Sequence, residues 1–234
     1  MARTLKSDKM LFGATLLLAA TGVVMVYSAS SHLLIRQLAW VGLGLVALLG
    51  IMRVDYHQFR RPVVIWSVLG VTTLALVAVY FFPSRNNTYR WIAVGSSMTF
   101  QPSELAKLAA LFFSAALLER RMHRVNDVAY ALVPIGVVTL GLAGLIVNEP
   151  DFGTAAVIVL VVTAVVFAAG LSYRYLFGTM LVMLPVAMMF ILTSTYRWRR
   201  LIAFLDPWSD PLGDGYQAVQ SFLAVGSGGL FGRG

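Results

Sequence analysis

Apolar runs of membrane-crossing length, broken by short polar connectors, are the dominant pattern along this chain. Met10–Tyr27, Val63–Phe82, Val128–Val147 and Phe152–Leu171 contain no Asp, Glu, Lys or Arg. Each is close to the ~18–20 residues that a helix needs to cross a bilayer core. The same pattern predicts seven spans, at 10–27, 33–52, 63–82, 105–119, 128–147, 152–171 and 175–195. Arg36 and Gln37 fall near the start of the second and Lys107 inside the fourth. Pro134 and Pro185 lie within the fifth and seventh, and predict kinks whose freed carbonyls neighbouring helices can satisfy. The predicted fold is therefore all-α: a polytopic transmembrane helical bundle, with 1–234 as a single integral membrane domain.

Composition agrees with the pattern. Of the 234 residues 59% are hydrophobic and 12% charged, and the mean hydropathy is +0.81. The first run is long for a signal-peptide core and more spans follow it, so it reads as a span. No cysteine is present, which removes disulfides, thiolate chemistry and Cys-based metal sites together. The net charge of +8 sits in short connectors, the usual signature of orientation in an anionic membrane, and argues against a nucleic-acid partner. With the N-terminus cytoplasmic, Arg3, Lys6, Lys9, Arg53, Arg60, Arg61, Arg120, Arg121, Arg124 and Arg174 lie inside, ten of the 18 basic residues. Arg36, Arg85, Arg90, Lys107, Arg197, Arg199, Arg200 and Arg233 lie outside. The inside groups are tight basic clusters, whereas the outside ones are mixed with aromatics, glycines, prolines and acids, so the N-terminus is assigned to the cytoplasm.

That orientation turns two longer loops outward, 83–104 and 194–215. Neither contains a familiar catalytic signature. His32, His57 and His123 are scattered, "GSGGLFGRG" lacks a P-loop ending, and Ser227 is not in a nucleophile elbow. Asn86-Asn87-Thr88 fits a glycosylation sequon. In "QPSELAKL" Pro102, Ser103 and Glu104 suit a helix start, and Glu104 and Lys107 share a face at i, i+3. Such a pair near the head of a span is either a structural ion pair or the charged wall of a cavity. Arg90 offers a guanidinium for phosphate beside Trp91. "NEPDFGT" places Glu149 and Asp151 in a tight turn, where they either cap a helix or support a site.

"FLDPWSDPLGDGYQ", Phe204 to Gln217, gathers Asp206, Asp210 and Asp214, three of only ten acids in the chain. Two Asp-Pro pairs and Gly213 and Gly215 restrict its backbone, and Arg197, Arg199 and Arg200 precede it. A rigid carboxylate beside cations suits transfer of a group from a phosphate ester. Beyond Tyr216 a helix would carry Gln217, Gln220 and Ser221 along one polar stripe before a glycine tract.

"RWIAVGSSMTFQPSELAKL", "NEPDFGTAAV" and "FLDPWSDPLGDGYQAVQSFLAVGSGGLFGRG" together resemble the SEDS proteins (shape, elongation, division and sporulation), peptidoglycan glycosyltransferases of the bacterial cytoplasmic membrane. The resemblance implies a ten-span bundle, of which about seven spans are present and some three C-terminal ones would follow. It implies lipid II as substrate and an inverting reaction, with Asp210 as the catalytic base. Arg90, Gln101, Glu104 and Lys107 match substrate-binding positions, and Gln217 of the polar stripe is grouped with them. Arg197 and Arg200 join them on charge and position alone. Asp206, Asp151 and Glu149 stand in support. Arginines, Lys107 or a divalent cation (Mg or Mn) would carry the pyrophosphate charge. The implied partners are a class B penicillin-binding protein and the divisome or elongasome regulators. Trp208 resembles division-type members and "AVGSGGL" elongation-type ones, with the division type favoured. A lipid II flippase and a non-catalytic divisome scaffold are the rival readings.

Overall fold

A computed structural model describes residues 9–82, 89–94, 98–229 and 232. Arg3, Lys6, Arg85, the Asn86–Thr88 sequon and Arg233 lie outside the described residues. Within them the protein is all-α and polytopic, with helices α1 (Lys9–Ala29), α2 (Leu34–Ile51), α3 (Pro62–Ala78), α4 (Pro102–Arg121), α5 (Val133–Asn148), α6 (Phe152–Ala168), α7 (Tyr173–Leu192), α8 (Thr195–Leu205) and α9 (Tyr216–Gly228). Five helical segments, Lys9–Ala29, Ser31–Ile51, Pro62–Phe81, Val128–Asn148 and Tyr173–Leu192, are long and apolar enough to cross a membrane. The other two predicted spans correspond to α4, whose ends are charged, and α6, which has only 17 residues.

The chain forms two compact units, Tyr56–Pro185 and a second made of Met1–Asp55 with Val186–Gly234. In the first, α4 packs against α3, α5 and α6. Its buried face is built from small residues, Ala106, Ala109, Ala110, Ser114 and Ala116, with Phe113 among them. Between helices in lipid, association rests on close packing rather than on removing apolar surface from water, and small residues let backbones approach. Leu69 and Leu76 of α3, Leu142 and Ile146 of α5 and Ile158 and Val162 of α6 complete this core. In the second unit α1 packs against α2, and neither helix buries a residue within the unit.

Three local features depart from the predicted pattern. Residues 128–147, read as one helix, begin with a π-helical turn, Val128–Leu132, before α5. Pro134 explains it, because proline has no N–H for the preceding turn and crowds the carbonyl four residues back. Loop 83–104 contains a hairpin, Ile92–Val94 (β1) against Met98–Phe100 (β2), in antiparallel register Ile92↔Phe100. Loop 194–215 contains α8, too short to read as a span. Pro185 leaves α7 unbroken as a helix.

Candidate active site

In Tyr56–Pro185 the polar residues of two distant motifs meet. Gln101 ends the hairpin in extended conformation, and Pro102 opens α4 at a position where its missing N–H costs nothing. Asp151 caps α6: Oδ1 accepts the Thr154 amide at 3.2 Å and Oδ2 the Thr154 hydroxyl at 2.8 Å. The same Oδ2 accepts the Gln101 side-chain amide at 3.2 Å, which ties the head of α4 to that of α6. Arg90 Nε donates to the Glu149 carbonyl at 3.1 Å, and its Nη2 donates to the Pro150 carbonyl. A planar guanidinium therefore clamps the α5–α6 turn through two successive carbonyls.

Glu149 is the outlier of this cluster. It is fully buried, and neither carboxyl oxygen has a hydrogen-bond partner. Burial, followed by the nearby Asp151 charge, pushes its pKa up to about 8, and the Arg90 guanidinium opposes the rise only in part. A carboxyl so placed is held as the neutral acid at pH 7. Its place in a turn suggested capping, but Asp151 does the capping. Glu104 and Lys107 pair at 2.7 Å on the exposed part of the first turns of α4. The pair makes that end of α4 electrically neutral while leaving both groups reachable.

In the other unit, the acidic motif is a wound turn. Asp206 ends α8 by donating its amide to Ile202 at 2.8 Å, and its carbonyl accepts the Ser209 hydroxyl at 2.8 Å. Its observed bonds are thus backbone ones. Asp210 differs: its exposed carboxylate accepts the Gly213 amide at 3.0 Å and the Asp214 amide at 3.1 Å, one on each oxygen. Its carbonyl also accepts the Gly215 amide at 3.0 Å. Both glycines are required by this turn. A Cβ on Gly213 would overlap the Asp210 carboxylate, 2.7 Å from its Cγ. One on Gly215 would overlap the Pro207 carbonyl and sit 2.9 Å from that of Asp210. Each oxygen keeps a lone pair, so the carboxylate can accept a further proton donor from solvent.

The remaining predicted residues of this unit lie on α8 and α9, the helices before and after this turn in the chain. Arg197 stacks over Phe190 at 3.7 Å, engaged by the end of α7 rather than by an aspartate. Arg200 lies 5.9 Å from the Tyr196 ring centre and is exposed. Gln217 is exposed in the first turn of α9, its carbonyl accepting the Ser221 hydroxyl at 2.8 Å. Among the described residues no three of His, Asp and Glu gather as a cation set. The sequence reading missed the Arg90 clamp, for which no local signal exists at a separation of 59 residues. It also missed the Asp210–Gly213 turn, for which the D-x-x-G spacing was a usable signal.

The model of the cell cycle protein family that unites FtsW, RodA and SpoVE matches residues 8–234. This chain belongs to that family. Among curated relatives, a probable peptidoglycan glycosyltransferase FtsW of Geobacter sp. (strain M18) is 35% identical over 97% of this chain and 65% of that one. The stage V sporulation protein E of Bacillus subtilis (strain 168) is 35% identical over the same shares. The FtsW of Legionella pneumophila subsp. pneumophila (strain Philadelphia 1) is 36% identical over 97% and 60%. The chain thus spans about 60–65% of the length of these relatives. Among solved structures, a peptidoglycan synthase complex that coordinates polymerization and crosslinking matches with TM-score 0.79 at 31% identity, covering 98% of this chain and 68% of that one. Thermus thermophilus RodA matches with TM-score 0.64 at 31% identity, over 78% and 60%. The chain is an FtsW-like member of the family: the three motif blocks implied the family, and Trp208 the division type.

Proposed function

We propose that this FtsW-like protein is a peptidoglycan glycosyltransferase that polymerises lipid II, with Asp210 as its general base. The observation that carries the reading is the Asp210 carboxylate, held by two backbone amides and a glycine-dependent turn while still exposed. Such fixation is what a base must have to meet a hydroxyl at hydrogen-bond distance. The names of the FtsW relatives and the match to a peptidoglycan synthase complex support the same chemistry.

In the proposed step, Asp210 takes the proton from the acceptor 4-hydroxyl. That oxygen attacks the donor anomeric carbon as its bond to the pyrophosphate breaks, and the α-linked donor becomes a β-1,4-linked strand. A single displacement needs only one base. The lipid pyrophosphate leaves with the bonding electron pair, and positive groups stabilise it. In the unit of Asp210, Arg200 is the proposed cation and Gln217 a polar contact; in the unit Tyr56–Pro185, Lys107, Gln101 and Glu104 are proposed as substrate contacts, with Arg90 holding the α5–α6 turn beside them. Arg197, engaged by Phe190, holds α8 instead. Asp151 and Glu149 are assigned to support of the α5–α6 turn, and Asp206 to the end of α8. The proposed partner is a class B penicillin-binding protein that cross-links the strands, with divisome regulators around it. The proposed setting is the bacterial inner membrane, with the acidic turn on the outer face.

The test is polymerisation of labelled lipid II by the purified protein with its penicillin-binding partner. Wild type is expected to yield glycan chains and Asp210→Asn to yield none above background. Normal chain synthesis by Asp210→Asn would end the assignment. Leaflet exchange of lipid II without chains would favour a flippase, and neither activity a scaffold.

A further inference from the structure

The helix α8 has an apolar face that its own unit covers only in part. Trp198, Ile202 and Leu205 stand at i, i+4 and i+7, within an arc of about 60° on a helix of 3.6 residues per turn. They are 40%, 40% and 74% exposed. The unit holds α8 at two positions that flank this face. Ala203 is its one buried residue, and Arg197 lies over Phe190 in the last turn of α7. Only Thr193 and Ser194 separate the two helices, and Ser194 is extended (φ −125°, ψ 118°), so the chain turns there. The Arg197–Phe190 stack keeps the first turns of α8 level with the end of a membrane-crossing helix. The helix also carries three arginines and no acid. Arg199 borders the apolar arc, whereas Arg200 and Tyr196 lie on the far side.

We propose that α8 is an interfacial helix that lies on the bilayer surface at the C-terminal end of α7. Trp198, Ile202 and Leu205 enter the acyl boundary, and Arg199 meets anionic phospholipid headgroups. A short helix with an apolar stripe containing Trp and an arginine-bearing polar side is the pattern that binds in the interface plane. The helix then sets the height of the Asp210 turn, which begins five residues after it. The inference depends on the spanning character of α7 and not on the reaction proposed above.

The absence of cysteine from the chain makes the test direct. Single Trp198→Cys, Ile202→Cys, Leu205→Cys, Tyr196→Cys and Arg200→Cys variants of the full protein would be spin-labelled in nanodiscs of phosphatidylethanolamine and phosphatidylglycerol. Collision with oxygen is compared with collision with a water-soluble nickel chelate. Labels at 198, 202 and 205 are expected to favour oxygen several-fold relative to those at 196 and 200. Equal access of the nickel reagent to all five would place α8 in water and overturn the proposal. Shielding of 198, 202 and 205 from both reagents would show a protein cover and overturn it equally. Replacing phosphatidylglycerol with phosphatidylcholine is expected to reduce the contrast, and an unchanged contrast would remove the headgroup contact. A label-free check is quenching by brominated lipid, expected to be weaker in Trp198→Phe than in wild type; equal quenching would count against the buried Trp198.

Discussion

Two residues carry the sharpest expectations, for opposite reasons. Asp210 is a carboxylate kept reachable, and its position depends on a neighbour without a side chain. Replacing it by Asn is expected to lower polymerisation by about 10²–10⁴-fold, the range associated with loss of a general base. Gly213→Ala retains the carboxylate but drives a methyl into it. A loss of roughly tenfold or more is therefore expected from Gly213→Ala without change in lipid II binding, read as kcat against KM. Equal activity of Gly213→Ala and wild type would show that the wound turn is not needed. Glu149 is a carboxyl kept out of reach, with its pKa raised from 4.5 to about 8. Between those values the folded protein binds more protons at this site than the unfolded chain does. Its contribution to stability is full below about 4.5 and is lost as the pH rises through about 8. Glu149→Gln keeps a neutral group there, so its melting temperature should match wild type near pH 5 and exceed it near pH 9. The gain is on the order of a few kcal/mol, the cost of ionising a buried carboxyl whose pKa is raised from 4.5 to about 8. Parallel melting curves for the two proteins from pH 5 to 9 would refute a buried neutral acid.

Between elements, the α5–α6 turn is held from outside itself by Arg90 and Gln101. Arg90→Lys retains the charge but offers a point ammonium where a guanidinium spans two carbonyls. Hydrogen exchange at residues 149–154 is expected to speed up in Arg90→Lys while the core of α6 stays protected. Unchanged exchange would mean that the cap by Asp151 alone suffices. What the sequence revealed at this scale follows from the range of each signal. Helix existence was readable because apolar length is a local property, and so were the start of α4 at Pro102 and the Asp151–Thr154 cap. The π turn before α5 could have been read from Pro134, since a missing N–H disturbs the turn upstream of it. The burial of Glu149 and the clamp across 59 residues are products of packing, with no local trace. The helix α8 escaped because eleven residues are too few for a span and its arginines interrupt the apolar run. Its stripe at i, i+4 and i+7 was present in the sequence throughout.

Across the whole molecule, the proposed chemistry depends on which side of the membrane Asp210 faces, and that depends on counting crossings. The clustering of the basic residues assigns the N-terminus to the cytoplasm, and the side of Asp210 then turns on the number of crossings. Five helices are long and apolar enough to cross, and the other two of the seven predicted crossings are the weak ones. At 17 residues, α6 is about 25 Å long against a core of about 30 Å, so it must cross where the bilayer thins or with its flanking residues drawn in. In α4, Glu104, Lys107, Glu119, Arg120 and Arg121 leave only Leu108–Leu118 uncharged. Its crossing relies on the pairing of Glu104 with Lys107 and of Glu119 with Arg60, at 2.7 Å and 2.5 Å. If either helix failed to cross, every later connector would change sides and Asp210 would face the cytoplasm. Single cysteines at Arg124, Tyr173 and Ser209, after α4, α6 and α7, would read the parity one step at a time. With a membrane-impermeant maleimide on intact spheroplasts, Ser209→Cys is expected to react at once, and Arg124→Cys and Tyr173→Cys only after permeabilisation. Reaction of Arg124→Cys from outside would show either that α4 fails to cross or that the N-terminus is external. Reaction of Tyr173→Cys alone, without Arg124→Cys, would locate the failure between α5 and α6. Either result would put the Asp210 turn on the side opposite to an externally presented lipid-linked sugar, and the proposed base would have no acceptor to deprotonate.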